Sequence, residues 1–165
     1  MPEEPDLGAF AVAQDGPLYV VTAAAAGLRA GCLVGFASQC SIDPPRFVVW
    51  LSVANHTYGV ARRARYLTVH LLRRDQEALA RLFGGRTGDR TDKFARIGWR
   101  PGRGGCPVLE GVADWFTGRI EAIVVGGDHE GFLLVPVEKA PEAPGPAAEP
   151  LRYGDVRDLE AGHPA

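Results

Sequence analysis

From Tyr19 to Leu72 the chain returns repeatedly to one kind of segment, a short run rich in Val, Leu, Thr and aromatic residues, stopped by glycine, proline or asparagine. That rhythm constrains the fold more than any other feature. Branched and aromatic side chains suit a pleated, half-buried surface, and the stops come in the places where strands turn. Pro17 to Ala23 reads as a strand and Gly27 to Ala30 as a turn. Gly31 to Gln39 alternates and reads as one second strand. Asp43-Pro44-Pro45 ends it, because proline has no N–H to give to a ladder. Phe47 to Val53 is apolar on both faces, which predicts a third strand in a central, buried position.

Further along, Asn55 to Ala64 predicts a short helix, with Asn55 or Thr57 as its cap. Leu67 to Leu72 reads as a strand, and Asp75 is placed to cap a helix running to Phe83 with Leu79 and Leu82 on its apolar stripe. Gly84 to Gly105 is a long glycine- and arginine-rich excursion with room for local structure at Thr91 to Ile97. Loops of that length usually carry function or an interface. Val112 to Val125 and Gly131 to Lys139 predict two long strands. No internal repeat is present. Six or so strands with a few short helices point to a mainly β chain whose antiparallel sheet closes into a barrel, which removes exposed edges. The expected division is an N-terminal arm over residues 1–15, a barrel domain over 16–139 and a Pro/Ala-rich tail over 140–165. Residues 140–150 form an extended spacer in this reading. Leu151 to Leu159 regains the apolar content needed to dock back.

Composition narrows the chemistry. A chain of 165 residues can bury a core without disulfides or metals. A net charge of −2 argues against nucleic acid and anionic membrane surfaces as partners. Three cysteines with no C-x-x-C pair suit a reducing compartment, and the acidic, Pro-rich start is not a secretory signal, so the cytoplasm is expected. His56, His70, His129 and His163 show no metal-ligand spacing, and no metal is expected. Phe83-Gly84-Gly85-Arg86-Thr87-Gly88 lacks the Gly-Lys-Ser/Thr ending and the preceding strand of a phosphate loop.

What remains is a polar cluster, Ser52, Asn55, His56 and Thr57, at a strand-to-helix junction. Hydroxyls and free N–H groups at a helix start suit a phosphate. Arg62, Arg63 and Arg65 lie one to two turns on, where one of them could add a charge-assisted bond. Read alone, the same residues describe a capped helix with a solvated basic face. Gly127-Asp128-His129 alone is a glycine turn between two strands.

The order of these segments is more telling than any one of them. Tyr19-Val20-Val21-Thr22-Ala23, then Gly31 through Pro45, Arg46 through Ser52, Asn55-His56-Thr57-Tyr58, Tyr66 through Leu72, Asp92-Lys93-Phe94 and Gly127-Asp128-His129 together resemble the flavin reductase-like, FMN-binding split-barrel family. The resemblance covers residues 16–139. It implies a split β-barrel of Greek-key character, a homodimer with FMN at its interface, and hydride transfer from NADH or NADPH to FMN, or to FAD. It also implies a monooxygenase component as recipient of reduced flavin. The family's Thr-x-Ser pattern beside the flavin ring falls on Leu33 and Gly35, so two side-chain hydroxyls are replaced here. Backbone N–H groups of Leu33, Val34, Gly35 and Phe36 are left to meet the ring, with Gln39 reading its pyrimidine end. The resemblance assigns the FMN phosphate to Ser52, Asn55, His56 and Thr57, and the nicotinamide to Asp128 and His129, with His129 placing the ring. The replaced hydroxyls also leave open a flavin-binding protein without turnover, or the same barrel holding a deazaflavin or another planar ligand.

Overall fold

A computed structural model of the chain describes residues 1–85 and 92–159. Nine strands are present among them: β1 (Tyr19–Ala25), β2 (Leu28–Val34), β3 (Ala37–Ser41), β4 (Arg46–Ser52), β5 (Tyr66–Leu71), β6 (Trp99–Pro101), β7 (Pro107–Leu109), β8 (Asp114–Val125) and β9 (His129–Lys139). Three short helices join them: α1 (Gly8–Gln14), α2 (His56–Ala61) and α3 (Glu77–Gly84). Seven strands form one sheet in the order β2-β1-β5-β8-β9-β4-β3, with every neighbouring pair antiparallel. β6 and β7 form a separate ribbon.

One fact of connectivity shapes the whole molecule. The two edge strands, β2 and β3, are consecutive in sequence and joined only by Gly35 and Phe36. A linker of two residues cannot cross a flat seven-stranded sheet, since it spans only about 7 Å. The sheet therefore curls until its edges meet. The seam is stitched where the Trp50 N–H donates to the Phe36 carbonyl at 2.9 Å, just before Ala37 pairs with Val49. The chain thus changes partner strand at Gly35-Phe36. The expected single strand from Gly31 to Gln39 is two strands, because apolar alternation runs across the break without marking it.

The remaining departures are local. The turn after β1 is Ala26-Gly27 alone, with positive φ of 51° and 77°, the conformation that a tight two-residue hairpin requires. β4 is next to the sheet's edge instead of central, and four of its seven residues are only half-buried. Asp75 caps nothing. It lies inside a 3₁₀ turn over Arg74–Gln76, where the Gln76 side chain accepts the Arg73 N–H at 3.0 Å.

The curled sheet creates two cores. Inside the barrel, Val21, Val34, Val49, Leu51, Leu67, Val69, Phe132 and Leu134 pack together, and Val60 and Ala61 of α2 join them. Outside it, Leu18, Val20, Leu72, Phe83, Phe94, Leu109, Leu151 and Val156 form a second cluster beneath α3 and the 92–112 segment. Phe83, Phe94 and Trp99 meet edge-on at 5.7 Å in each pair, with Ile97 packed on the same cluster. In the Gly84 to Gly105 excursion, expected to carry function or an interface, Phe94, Ile97 and Trp99 pack within the subunit. The remainder of that expectation, from Arg86 to Thr91, lies outside the described residues, as does His163. Leu151 and Val156 are 1% and 3% exposed, so the segment after the proline-rich stretch returns to the barrel.

Candidate functional site

At the seam the barrel has a cleft of about 310 Å³. Its floor is the end of β2 (Cys32, Leu33, Val34) with Leu51 of β4. Gly35, Phe36, Trp50, Ser52, Asn55 and His129 close one side. Gly84 and the segment from Tyr153 to Leu159 close the other. Because β2 is an edge strand, half of its backbone groups are not used by β1 and stay available to a ligand. A Cβ at Gly35 would meet only Leu18 Cδ2, at 3.7 Å, so the bare backbone there leaves free space beside the cleft.

The cleft's corners are rigidly made. Lys93 is buried, and its ammonium donates to the Gly31 carbonyl at 3.1 Å and the Phe83 carbonyl at 2.9 Å, tying β2 to the end of α3. Burial pushes its amine pKa down. Asp92 caps the next turn through the Phe94 N–H at 3.1 Å, which gives the Asp92-Lys93-Phe94 triplet a structural reason. On the opposite side, a Cβ at Gly126 or Gly131 would lie 2.5 Å and 2.9 Å from the Trp50 ring. Only glycine at both positions lets Trp50 lie flat against the β8–β9 hairpin. Cys32 is fully enclosed, and burial pushes its thiol up to about 11, so it is no nucleophile at neutral pH.

Seven of the eleven expected residues line this cleft: Leu33, Val34, Gly35, Phe36, Ser52, Asn55 and His129. The Ser52 hydroxyl accepts the Ala54 N–H at 3.3 Å, which leaves its own proton to give. Asn55 spends its carbonyl oxygen on the Thr57 N–H at 2.9 Å and keeps its NH₂. His129 is held by the Asp128 carboxylate, Nδ1 to Oδ1 at 2.7 Å, so Nδ1 carries the proton and Nε2 is presented. That bond also holds the Asp128 carboxyl below its usual range. The Phe36 and His129 rings pair at 5.1 Å across the cleft mouth.

The other four stand apart. Gln39 lies exposed on β3, its amide donating to the Ser41 carbonyl at 3.1 Å. Asp128 acts on the cleft only through His129. His56 begins α2 but is not among the lining residues. Thr57 is 1% exposed with its hydroxyl against the Cys32 thiol, and its N–H is already taken by Asn55. The helix start is therefore a satisfied cap. Arg62 and Arg65 lie over the Tyr58 and Tyr66 rings at 5.7 Å each, away from the cleft. Sequence reading missed Trp50 as a cleft residue, and missed Tyr153, Val156, Arg157 and Leu159 entirely. The Gly126 and Gly131 pair is the only signal that could have marked Trp50. Among the described residues no cluster of three or more His, Cys, Asp or Glu could hold a metal.

The chain is an antiparallel barrel split at one seam, with an apolar slot, two free donors and a positioned imidazole beside it. The model of the flavin reductase like domain matches residues 14–159, and the chain belongs to that family. A probable flavin reductase of Rhizobium meliloti is 33% identical over 122 residues, covering 74% of this chain and 37% of its own length. FMN reductase (NADH) RutF of Enterobacter is 35% identical over 109 residues, 65% of each chain. This chain therefore spans less than two thirds of either relative. The solved structure of an FMN-binding protein from Thermus thermophilus superposes with a TM-score of 0.76 at 24% identity, over 84% of this chain and 78% of that one. The fold is thus the split barrel that the segment order implied.

Proposed function

We propose that the chain is an NAD(P)H:flavin oxidoreductase that takes FMN in the seam cleft. The carrying observation is the cleft itself: about 310 Å³ over an apolar floor, with donors at Ser52 and Asn55 and the His129 ring beside it. The relatives named as flavin and FMN reductases support the same reading. Bound flavin would supply the chemistry, as a hydride acceptor. The residues need only position and shelter it. Leu33, Val34 and Leu51 keep water from the ring's buried face. The Ser52 hydroxyl and the Asn55 NH₂ orient its polar edge. His129, its tautomer set by Asp128, would offer Nε2 to the carboxamide NH₂ of a nicotinamide and so help to place it. No acid or base is demanded of the chain.

Two finer points belong to the same proposal. Phe36, Val53, Val124 and Val125 leave an exposed apolar rim near the cleft, with Val125 79% exposed, and a second subunit pairing there makes a homodimer. Reduced flavin passes to a monooxygenase component. The replaced hydroxyls at Leu33 and Gly35 favour the second reading, binding without turnover. FMN titration followed by flavin fluorescence is expected to give a dissociation constant on the order of micromolar. NADH oxidation at 340 nm with added FMN then decides between enzyme and binding module. No fluorescence change up to about millimolar FMN removes both readings.

A further inference from the structure

A cation strengthens a phosphate site, and Ser52 and Asn55 supply none themselves. Among the described residues lining the cleft, one carries a full charge, Arg157. It comes from the segment after the proline-rich stretch, which is fastened along its length. Leu151 bonds both ways, its N–H to the Leu72 carbonyl and its carbonyl to the Leu18 N–H, each at 2.9 Å. Arg152 bridges to Pro17, and the Tyr153 N–H donates to the Gly16 carbonyl at 3.0 Å. The Gly154 N–H donates to the Asp15 carboxylate at 2.6 Å, and Asp158 pairs with Arg81 at 3.1 Å. Val156 is buried between these anchors. The next residue, Arg157, is thereby held at the cleft wall. Its guanidinium lies beside Gly154, across from the Asp15 carboxylate, and has no hydrogen-bond or ion-pair partner among the described residues.

Arg62 and Arg65 cover tyrosine rings, and Arg81 bridges Glu77 and Asp158. Arg157 is exposed at the cleft wall, and a guanidinium there suits a phosphate ester, which its planar fork can hold through two bonds. Building on the flavin-reductase reading, we propose that Arg157 is the residue that selects phosphorylated coenzymes in this cleft, by pairing with the phosphate of FMN or the pyrophosphate of the nicotinamide dinucleotide.

The test compares Arg157→Gln and Arg157→Lys with the unaltered protein against four ligands: FMN, riboflavin, NADH and reduced nicotinamide riboside. Arg157→Gln is expected to weaken FMN, or to raise the KM for NADH, by about tenfold to a hundredfold, the usual worth of a charge-assisted pair. The counterpart without phosphate should be unchanged. A selective loss of FMN assigns the flavin phosphate; a selective loss of NADH assigns the pyrophosphate. Arg157→Lys should recover part of the loss, and 1 M salt should shrink the difference between variants. Asp15→Ala, which frees the Gly154 anchor, should reproduce a weaker version. Equal effects on both members of each pair, or none, overturn the proposal while leaving the reductase reading intact. Failure of the unaltered protein to bind any flavin overturns both.

Discussion

The barrel carries two sets of polar side chains, and they behave oppositely. On the outer face of β1, β5 and β8, a row of buried groups is closed on itself. The Thr22 hydroxyl donates to the Pro107 carbonyl, and Thr68 and Thr117 share a bond at 2.8 Å. The Cys106 thiol donates to the Thr22 carbonyl at 3.1 Å. His70 is fully buried, with Nδ1–H donating to the Val20 carbonyl and Nε2 accepting the Leu109 N–H, both at 3.0 Å. Every one of these groups has found a partner in the chain. At the seam, Ser52, Asn55, His129 and Arg157 each keep a donor or acceptor in hand. Residue type does not separate the two regions, since histidines and hydroxyls occur in both. Leftover bonding capacity does. The closed row holds the 98–112 segment to the sheet, while the open set waits for a ligand.

The largest effect should come from breaking the closed row. His70→Leu leaves the Leu109 N–H and the Val20 carbonyl each short of a partner and should cost about 3 kcal/mol. That lowers Tm by roughly 6 to 12 °C for a domain of this size, measurable by calorimetry, with flavin affinity at 25 °C unchanged. The same histidine makes stability depend on pH. Burial lowers its pKa from 6.5 to about 4, so the unfolded chain binds a proton that the folded chain refuses. Stability is therefore fully present above about pH 6.5 and is lost as pH falls toward 4, by on the order of 3 kcal/mol. Urea unfolding at pH 7 and pH 4.5 should show that loss, and His70→Leu should flatten it. A variant as stable as the parent would mean the row is not closed.

The next effect tests the open side. His129→Ala should lower kcat/KM for NADH about tenfold to a hundredfold, or roughly 1.4 to 2.7 kcal/mol, with Tm and FMN affinity nearly unchanged. Unaltered kinetics would move His129 out of the nicotinamide site; a selective loss of flavin would put it against the isoalloxazine.

Thr57 lies on the boundary between the two regions and should give the smallest change. Thr57→Val removes a hydroxyl that faces Cys32, so about 1 kcal/mol of stability should go. FMN and riboflavin should respond alike. If FMN alone weakens, the hydroxyl reaches the phosphate, and the boundary of the cleft must be redrawn.

Strand content was readable because branched and aromatic runs state their own conformation. β1, β5, β8 and β9 appear within a few residues of their expected limits. The Gly35-Phe36 break was hidden because nothing local distinguishes a strand that continues from one that changes partner. The same blindness affects the site. Ser52, Asn55 and His129 stand beside turns that the sequence displays. Thr57 has the right chemistry but the wrong direction, which only the packing of α2 against β2 decides. Arg157 follows a stretch of prolines and alanines, and its position depends on anchors at Asp15 and Arg81, residues far away in the chain.

Those anchors bear on how the protein is made. All strands of the barrel have been synthesised once residue 139 is in place, yet one wall of the cleft is drawn from residues 153–159. When the last strand has just been completed, that wall has not yet been made. Coenzyme capture has to wait for the strap. A chain ended between residues 139 and 153 would keep every strand of the barrel, yet it would lack one wall of the cleft and the Leu151 and Val156 part of the second core.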